Sequence, residues 1–174
     1  MAYDRPLTIS RPELLHGGSD DAFRQLVHDL LTISTHMQAV RDGIGELVGL
    51  TGPQYSIVMA VAQLAGEVGV TAKDLAAHLH VSPPFVTVET GKLIRSGYLE
   101  KRSDTEDRRR VRLRLSPAGE QAIDRLTPEL RDINDELFGA LDATGFGRLR
   151  QLTADMVPHA QAAVAMLDPV RRRA

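Results

Sequence analysis

Thr71 to Ser116 reads TAKDLAAHLHVSPPFVTVETGKLIRSGYLEKRSDTEDRRRVRLRLS, and the fold is decided by how this stretch is divided. Thr71 and Asp74 have the spacing of a capping box, in which a hydroxyl takes an orphan helical N–H and a carboxylate reaches back. A short helix is expected to open there and to bury Leu75 and Leu79. Val81 makes a turn. Ser82 then fits an N-cap and Pro83 the first helical position, where a missing N–H costs nothing, so a second helix is expected to run to about Arg95 and stop at Gly97. Beyond Gly97 the period becomes two: Arg110, Arg112 and Arg114 share one face, and Val111, Leu113 and Leu115 share the other, as in a half-buried strand. Its expected partner is Tyr98 to Arg102. The Ser and Asp residues between them favour a turn through local side-chain hydrogen bonds. The whole reads as a helix-turn-helix carrying a hairpin wing.

From Glu100 to Arg114 there are seven cations (Lys101, Arg102, Arg108, Arg109, Arg110, Arg112, Arg114) and four anions (Glu100, Asp104, Glu106, Asp107), on a chain whose formal charge is -2. A net-positive hairpin beside a helix pair suits phosphate contacts and the insertion of an arginine into a narrow minor groove. The second helix is thinly charged, with Lys92 and Arg95 against Glu89.

Working outward, residues 1–18 read as a tail. From Ser19, a candidate N-cap, the residues Phe23, Leu26, Val27, Leu30, Leu31, Met37 and Val40 keep a helical spacing, and a shorter helix is expected around Ile44 to Leu50. Pro53 opens another, with Tyr55, Val58, Val61 and Leu64. After the wing, Ser116 and Pro117 repeat the cap arrangement, and Ile123, Leu126, Leu130, Ile133, Leu137 and Leu141 form a narrow stripe of the kind that packs on a partner helix. Gly145 and Gly147 read as an interruption before a last helix through Leu149, Leu152, Met156, Ala160, Ala163 and Leu167. The expected fold is therefore mainly α with a small β-hairpin wing, a winged helix-turn-helix flanked by N- and C-terminal helices. At 174 residues and 43% apolar the chain is long enough for one ordinary core.

Several chemistries find no support. Cys is absent, which removes disulfides and thiolate chemistry. No Gly-x-Ser-x-Gly turn, phosphate-cradling glycine loop or His-Glu-x-x-His helix is found, so neither an enzyme nor a cofactor is expected. His28 and His36 fall on roughly one helix face while His78 and His80 point apart, and none has the spacing of a structural zinc site, so no metal ligands are assigned. No apolar run approaches the ~20 residues of a membrane span, and the start has no signal-like apolar segment, so a cytoplasmic location is expected.

Leu50-Thr51-Gly52-Pro53-Gln54-Tyr55, Asp74-Leu75-Ala76, Val81-Ser82-Pro83, Gly97-Tyr98-Leu99, Asp107-Arg108-Arg109 and Leu115-Ser116-Pro117-Ala118-Gly119 occur in this order. The set resembles the MarR family of winged-helix transcriptional regulators over about residues 20 to 165. The most specific piece is Asp107-x-Arg109 followed by Leu115-Ser116, with Ser where the family usually has Thr. The resemblance implies a homodimer held by residues 19–50 and 117–168, with 51–116 as the DNA-binding region and 169–174 as a basic tail. It also implies recognition of a pseudo-palindromic double-stranded operator. The residues expected at DNA are Ser82, Pro84, Phe85, Thr87, Val88, Lys92, Arg95, Arg108, Arg109, Arg110 and Arg112. Arg109 is expected in the minor groove, with Asp107 supporting the wing, and Arg112 at phosphate.

The resemblance further implies regulation, most simply repression relieved by a small aromatic acid or phenol. The first helix offers His28, His36, Met37 and Arg41, and the helix after Pro53 offers Tyr55 and Met59, apolar walls with a few polar anchors. Each of the six could equally be core, and for Met37 and Met59 the core is the better reading. Other readings left open are a winged-helix module that binds protein, a zinc-responsive regulator and a constitutive DNA binder.

Overall fold

The computed structural model describes residues 5–103 and 111–167. Six helices and one two-stranded antiparallel sheet occur among these residues, the fold class expected from the sequence. The chain divides into two compact units, Met1–Leu126 and Thr127–Ala174.

In the first unit, helix α1 spans Asp21–Leu47 in one piece, where the apolar pattern suggested a helix to Val40 and another around Ile44 to Leu50. Packing overrides the helix-breaking preference of the glycines. A Cβ on Gly45 would stand 2.9 Å from the Leu50 carbonyl oxygen and 3.3 Å from Tyr55 Cβ, so only glycine lets the end of α1 close on the start of the next helix. That helix, α2 (Gly52–Leu64), leaves α1 at 84°. Its cap is a full capping box: Gln54 N donates to Thr51 Oγ1 at 3.4 Å and Thr51 N donates to Gln54 Oε1 at 3.2 Å.

Residues before α1 are more structured than a tail. A single 3-10 turn forms at Pro12–Leu14, and His16 pairs with Ser19. Asp20, at the N-cap position of α1, is buried as an acceptor for Thr8 N (2.8 Å), Thr8 Oγ1 (2.7 Å) and Arg24 Nε (2.8 Å). Arg24 also donates to the Pro6 carbonyl.

α3 (Ala72–Leu79) and α4 (Pro83–Arg95) form the helix-turn-helix, with His80 in the left-handed region at φ 54° between them. At Thr71 the cap differs from a capping box. The Asp74 carboxylate accepts from the Thr71 hydroxyl at 2.7 Å, while that same oxygen accepts from Asp74 N at 3.1 Å.

Strands β1 (Leu99–Ser103) and β2 (Val111–Leu115) pair with Leu99 opposite Leu115 and Lys101 opposite Leu113. Leu113 also exchanges both backbone bonds with Val70, at 2.8 and 3.0 Å, which ties the wing to the loop before α3. The core beneath consists of Ile57, Val58, Val61, Leu75, Val86 and Leu93, all fully buried, with Leu99 and Leu113 beside them. Each such side chain contributes about 1.5–3 kcal/mol by leaving water. α5 (Pro117–Leu137) begins as expected at Ser116, whose hydroxyl oxygen accepts from Gly119 N at 3.0 Å. Leu126, placed by its stripe at a partner-facing position, is already buried within the chain.

In the second unit, α6 spans Ala143–Ala165. Asp142 caps it by accepting from Gly145 N at 2.7 Å, so Gly145 and Gly147 lie inside the helix and do not interrupt it. No residue of α6 is buried.

Candidate nucleic-acid interface

The sequence of α4 sorts into two faces. Val86, Glu89, Thr90 and Leu93 face the core, while Pro84, Phe85, Thr87, Val88, Lys92 and Arg95 are exposed. Val88 is 56% exposed and presents a branched apolar tip, suited to a thymine methyl. Ser82, also exposed, uses its hydroxyl oxygen as the cap, accepting from Phe85 N at 3.4 Å. The Thr87 hydroxyl donates to the Pro83 carbonyl at 3.0 Å, which leaves its lone pairs as the group available outward. The structure thus puts every α4 residue expected at DNA on one accessible side of one helix.

Lys92 is held. Its Nζ donates to Glu89 Oε1 at 2.6 Å, and the other carboxylate oxygen of Glu89 accepts from Gln54 Nε2 at 3.0 Å. The Lys92 bond lowers the Glu89 pKa, burial opposes this, and the Gln54 bond adds to the lowering. Glu89 therefore stays ionised beneath the exposed face. The Glu89 and Lys92 spacing was visible in the sequence, whereas the contact with Gln54, 35 residues away, had no local signal.

On the wing, Arg112 is half-buried and donates from Nη1 to the Gly69 carbonyl at 3.1 Å, and Arg114 donates to the Glu67 carbonyl at 3.1 Å. These guanidiniums brace the base of the hairpin against the loop before α3, a role that sequence reasoning did not give Arg112. Asp107, Arg108, Arg109 and Arg110 lie outside the described residues.

The six residues singled out for an effector occupy unlike environments. His28, His36 and Met37 are exposed on α1, Arg41 pairs with Asp42 at 3.0 Å, Met59 is half-buried, and Tyr55 is buried, which raises its pKa. A cleft at the junction of α1 and α2 is lined by Asp42, Glu46, Leu50, Thr51 and Pro53, and none of the six belongs to its lining. Among the described residues no group of three or more His, Cys, Asp or Glu is placed to hold a metal ion, and no single helix is long and apolar enough to cross a membrane.

A capped support helix, a second helix with one outward polar and apolar face, and a braced hairpin define a winged helix-turn-helix protein. Residues 48–110 match the family model described as MarR family, and the fold is that of MarR winged-helix structures, so the resemblance read from the sequence holds. A mutant MarR from E. coli complexed with operator DNA is similar at TM-score 0.63 and 19% identity, covering 79% of this chain and 95% of its own. The MepR–DNA complex of S. aureus gives 0.62 and 18%, covering 86% and 99%. A MarR family transcription regulator gives 0.68 and 18%, covering 83% and 94%. No curated protein matches the chain.

Proposed function

We propose that the chain is a sequence-specific DNA-binding transcriptional regulator of the cytoplasm, working as a homodimer on a pseudo-palindromic operator. The observation that carries this reading is the outward face of α4, where Pro84, Phe85, Thr87, Val88, Lys92 and Arg95 stand accessible above a buried support. Two similar structures, those of MarR and MepR, hold DNA. In this reading each α4 enters a major groove, half-sites lie about one helical turn, ~10 bp, apart, and Arg109, steadied by Asp107, reaches the minor groove. Residues 51–116 read DNA, and residues 19–50 and 117–168 hold two copies together.

Support for the dimer comes from uncovered apolar surface on each element. Leu26 is 53% exposed and Met37 44% on α1, and Leu152 is 61% and Met156 51% on α6. Faces of this kind on a folded chain mark association sites. Repression relieved by a small aromatic molecule near His28, His36, Met37, Arg41, Tyr55 and Met59 completes the proposal. A ~100-fold release of DNA needs ~2.7 kcal/mol of coupling, and DNA must then weaken the effector by the same factor.

The test is a salt titration with duplex DNA, followed by footprinting on the fragment bound most tightly. Affinity that falls steeply with salt and a two-fold symmetric footprint are expected. A flat salt response would replace this reading with a winged helix that recognises protein, and a single asymmetric half-site would remove the dimeric geometry.

A further inference from the structure

Glu89 is the one buried carboxylate on the helix proposed to read DNA, and nothing in base recognition calls for an acid there. Its two oxygens are divided between two elements. Oε1 takes the ammonium of Lys92, whose side chain is 50% exposed, and Oε2 takes the amide of Gln54 in α2. Gln54 is itself fixed, because its Oε1 accepts from Thr51 N in the α2 capping box. The chain of bonds thus runs from the backbone at the start of α2, through Gln54 and Glu89, to a cation on the outward face of α4.

We infer that Glu89 is a positioning residue that withholds the charge of Lys92 from DNA and sets the direction in which its ammonium points. This rests on the DNA-binding reading above. An ammonium already bonded at 2.6 Å to an ionised carboxylate displaces fewer counterions from a duplex than a free one, and the carboxylate repels phosphate. The contact of α4 with backbone phosphate is thereby weakened for every sequence alike, while Val88 and Thr87 on the same face keep their base contacts. The consequence is a higher ratio of specific to nonspecific affinity, bought with total affinity.

The experiment uses the full chain and a random-sequence duplex, with anisotropy recorded across a range of salt. Glu89→Gln removes the charge and keeps one acceptor oxygen; with that oxygen on Lys92, its NH2 meets the NH2 of Gln54, donor to donor, so the Gln54 contact is given up. The variant is expected to bind the random duplex more tightly, with a slope of log affinity against log salt steeper by about 0.9 for each chain bound. Lys92→Gln is expected to lower the slope more in the Glu89→Gln background than in the wild type, a difference that a purely structural role for Glu89 would not produce. Urea melting of each variant confirms that the protein compared is folded. Additive effects, or an unchanged slope in folded Glu89→Gln, overturn the inference while leaving the DNA-binding reading intact. Absence of DNA binding by the wild type defeats that reading and this inference with it.

Discussion

Arg112 of β2 donates to the carbonyl of Gly69, 43 residues earlier, and so holds the wing to the loop that leads into α3. The bond lies beside the two backbone bonds between Val70 and Leu113, so side chain and main chain fasten the same place. Arg112→Ala is expected to lower folding stability by about 1–2 kcal/mol, the size of a charge-assisted bond in a half-buried setting. Urea unfolding measures this. A variant as stable as the wild type but with a shallower salt dependence of DNA binding would return Arg112 to the phosphate role that its place in the strand suggested.

Two glycines of α1 should respond oppositely to alanine. Gly43 has nothing within 4 Å of an added Cβ, so Gly43→Ala is expected to stabilise by roughly 0.5–1 kcal/mol, the helix-propensity gain. At Gly45 the same atom meets the Leu50 carbonyl at 2.9 Å, and Gly45→Ala is expected to destabilise by about 1–3 kcal/mol despite that gain. Thermal melts of the pair provide an internal control, and equal shifts would refute the close approach of α1 to residue 50.

Self-association is predicted to depend on side chains that contribute little to the fold of one chain. Leu152→Ser on α6 and Leu26→Ser on α1 change exposed positions, for which effects within about 0.5 kcal/mol on monomer folding are usual. Sedimentation should show a folded wild-type dimer at micromolar concentration and a smaller species for the variants. A wild type that sediments as a folded monomer would end the dimer proposal.

Asp20 should make the stability of the first unit sensitive to acid. Bonds from Arg24 and then Thr8 hold its pKa well below the ordinary carboxylate value. A depressed folded pKa means stability that is present above the unfolded value, near 3.8, and lost as pH falls through that value towards the folded one. The gap in stability between wild type and Asp20→Asn is therefore expected to be largest near neutrality and to narrow below about pH 4. Urea melts at several pH values give the curve, and a gap that widened in acid would mean that the carboxylate is not held as described.

Local rules made the reading region legible. Ser82 and Pro83 mark the start of α4, Gly97 its end, and the alternation through Leu115 marks β2, because caps and strand period are short-range signals. Non-local features escaped. The apolar pattern suggested a separate short helix around Ile44 to Leu50, and the close approach of Gly45 to Leu50 and Tyr55, which fixes where α1 meets α2, has no local signal. Likewise, Thr51 and Gln54 lay inside a recognised motif, and their capping box was a local signal left unread, whereas its extension to Glu89 depends on α2 facing α4. Arg112 was placed on the correct strand, but its bond to the Gly69 carbonyl was not foreseen, since period two cannot say which loop lies over an edge. The burial of Asp20 escaped for the same reason: its partner Thr8 sits in a segment with no periodic pattern.

The Tyr98 hydroxyl donates to the carbonyl of Val48, 50 residues back along the chain. A fragment cut at Thr71, where the helix-turn-helix motif begins, or at Thr51, where α2 is capped, would leave that hydroxyl without its acceptor. Gly45, which seats the start of α2, would be missing as well. A transplantable reading head, for a chimera or for isotope-labelled study of one lobe, must therefore start within α1, upstream of Gly45, and carry the chain through Gly119, where α5 closes on the Tyr98 backbone.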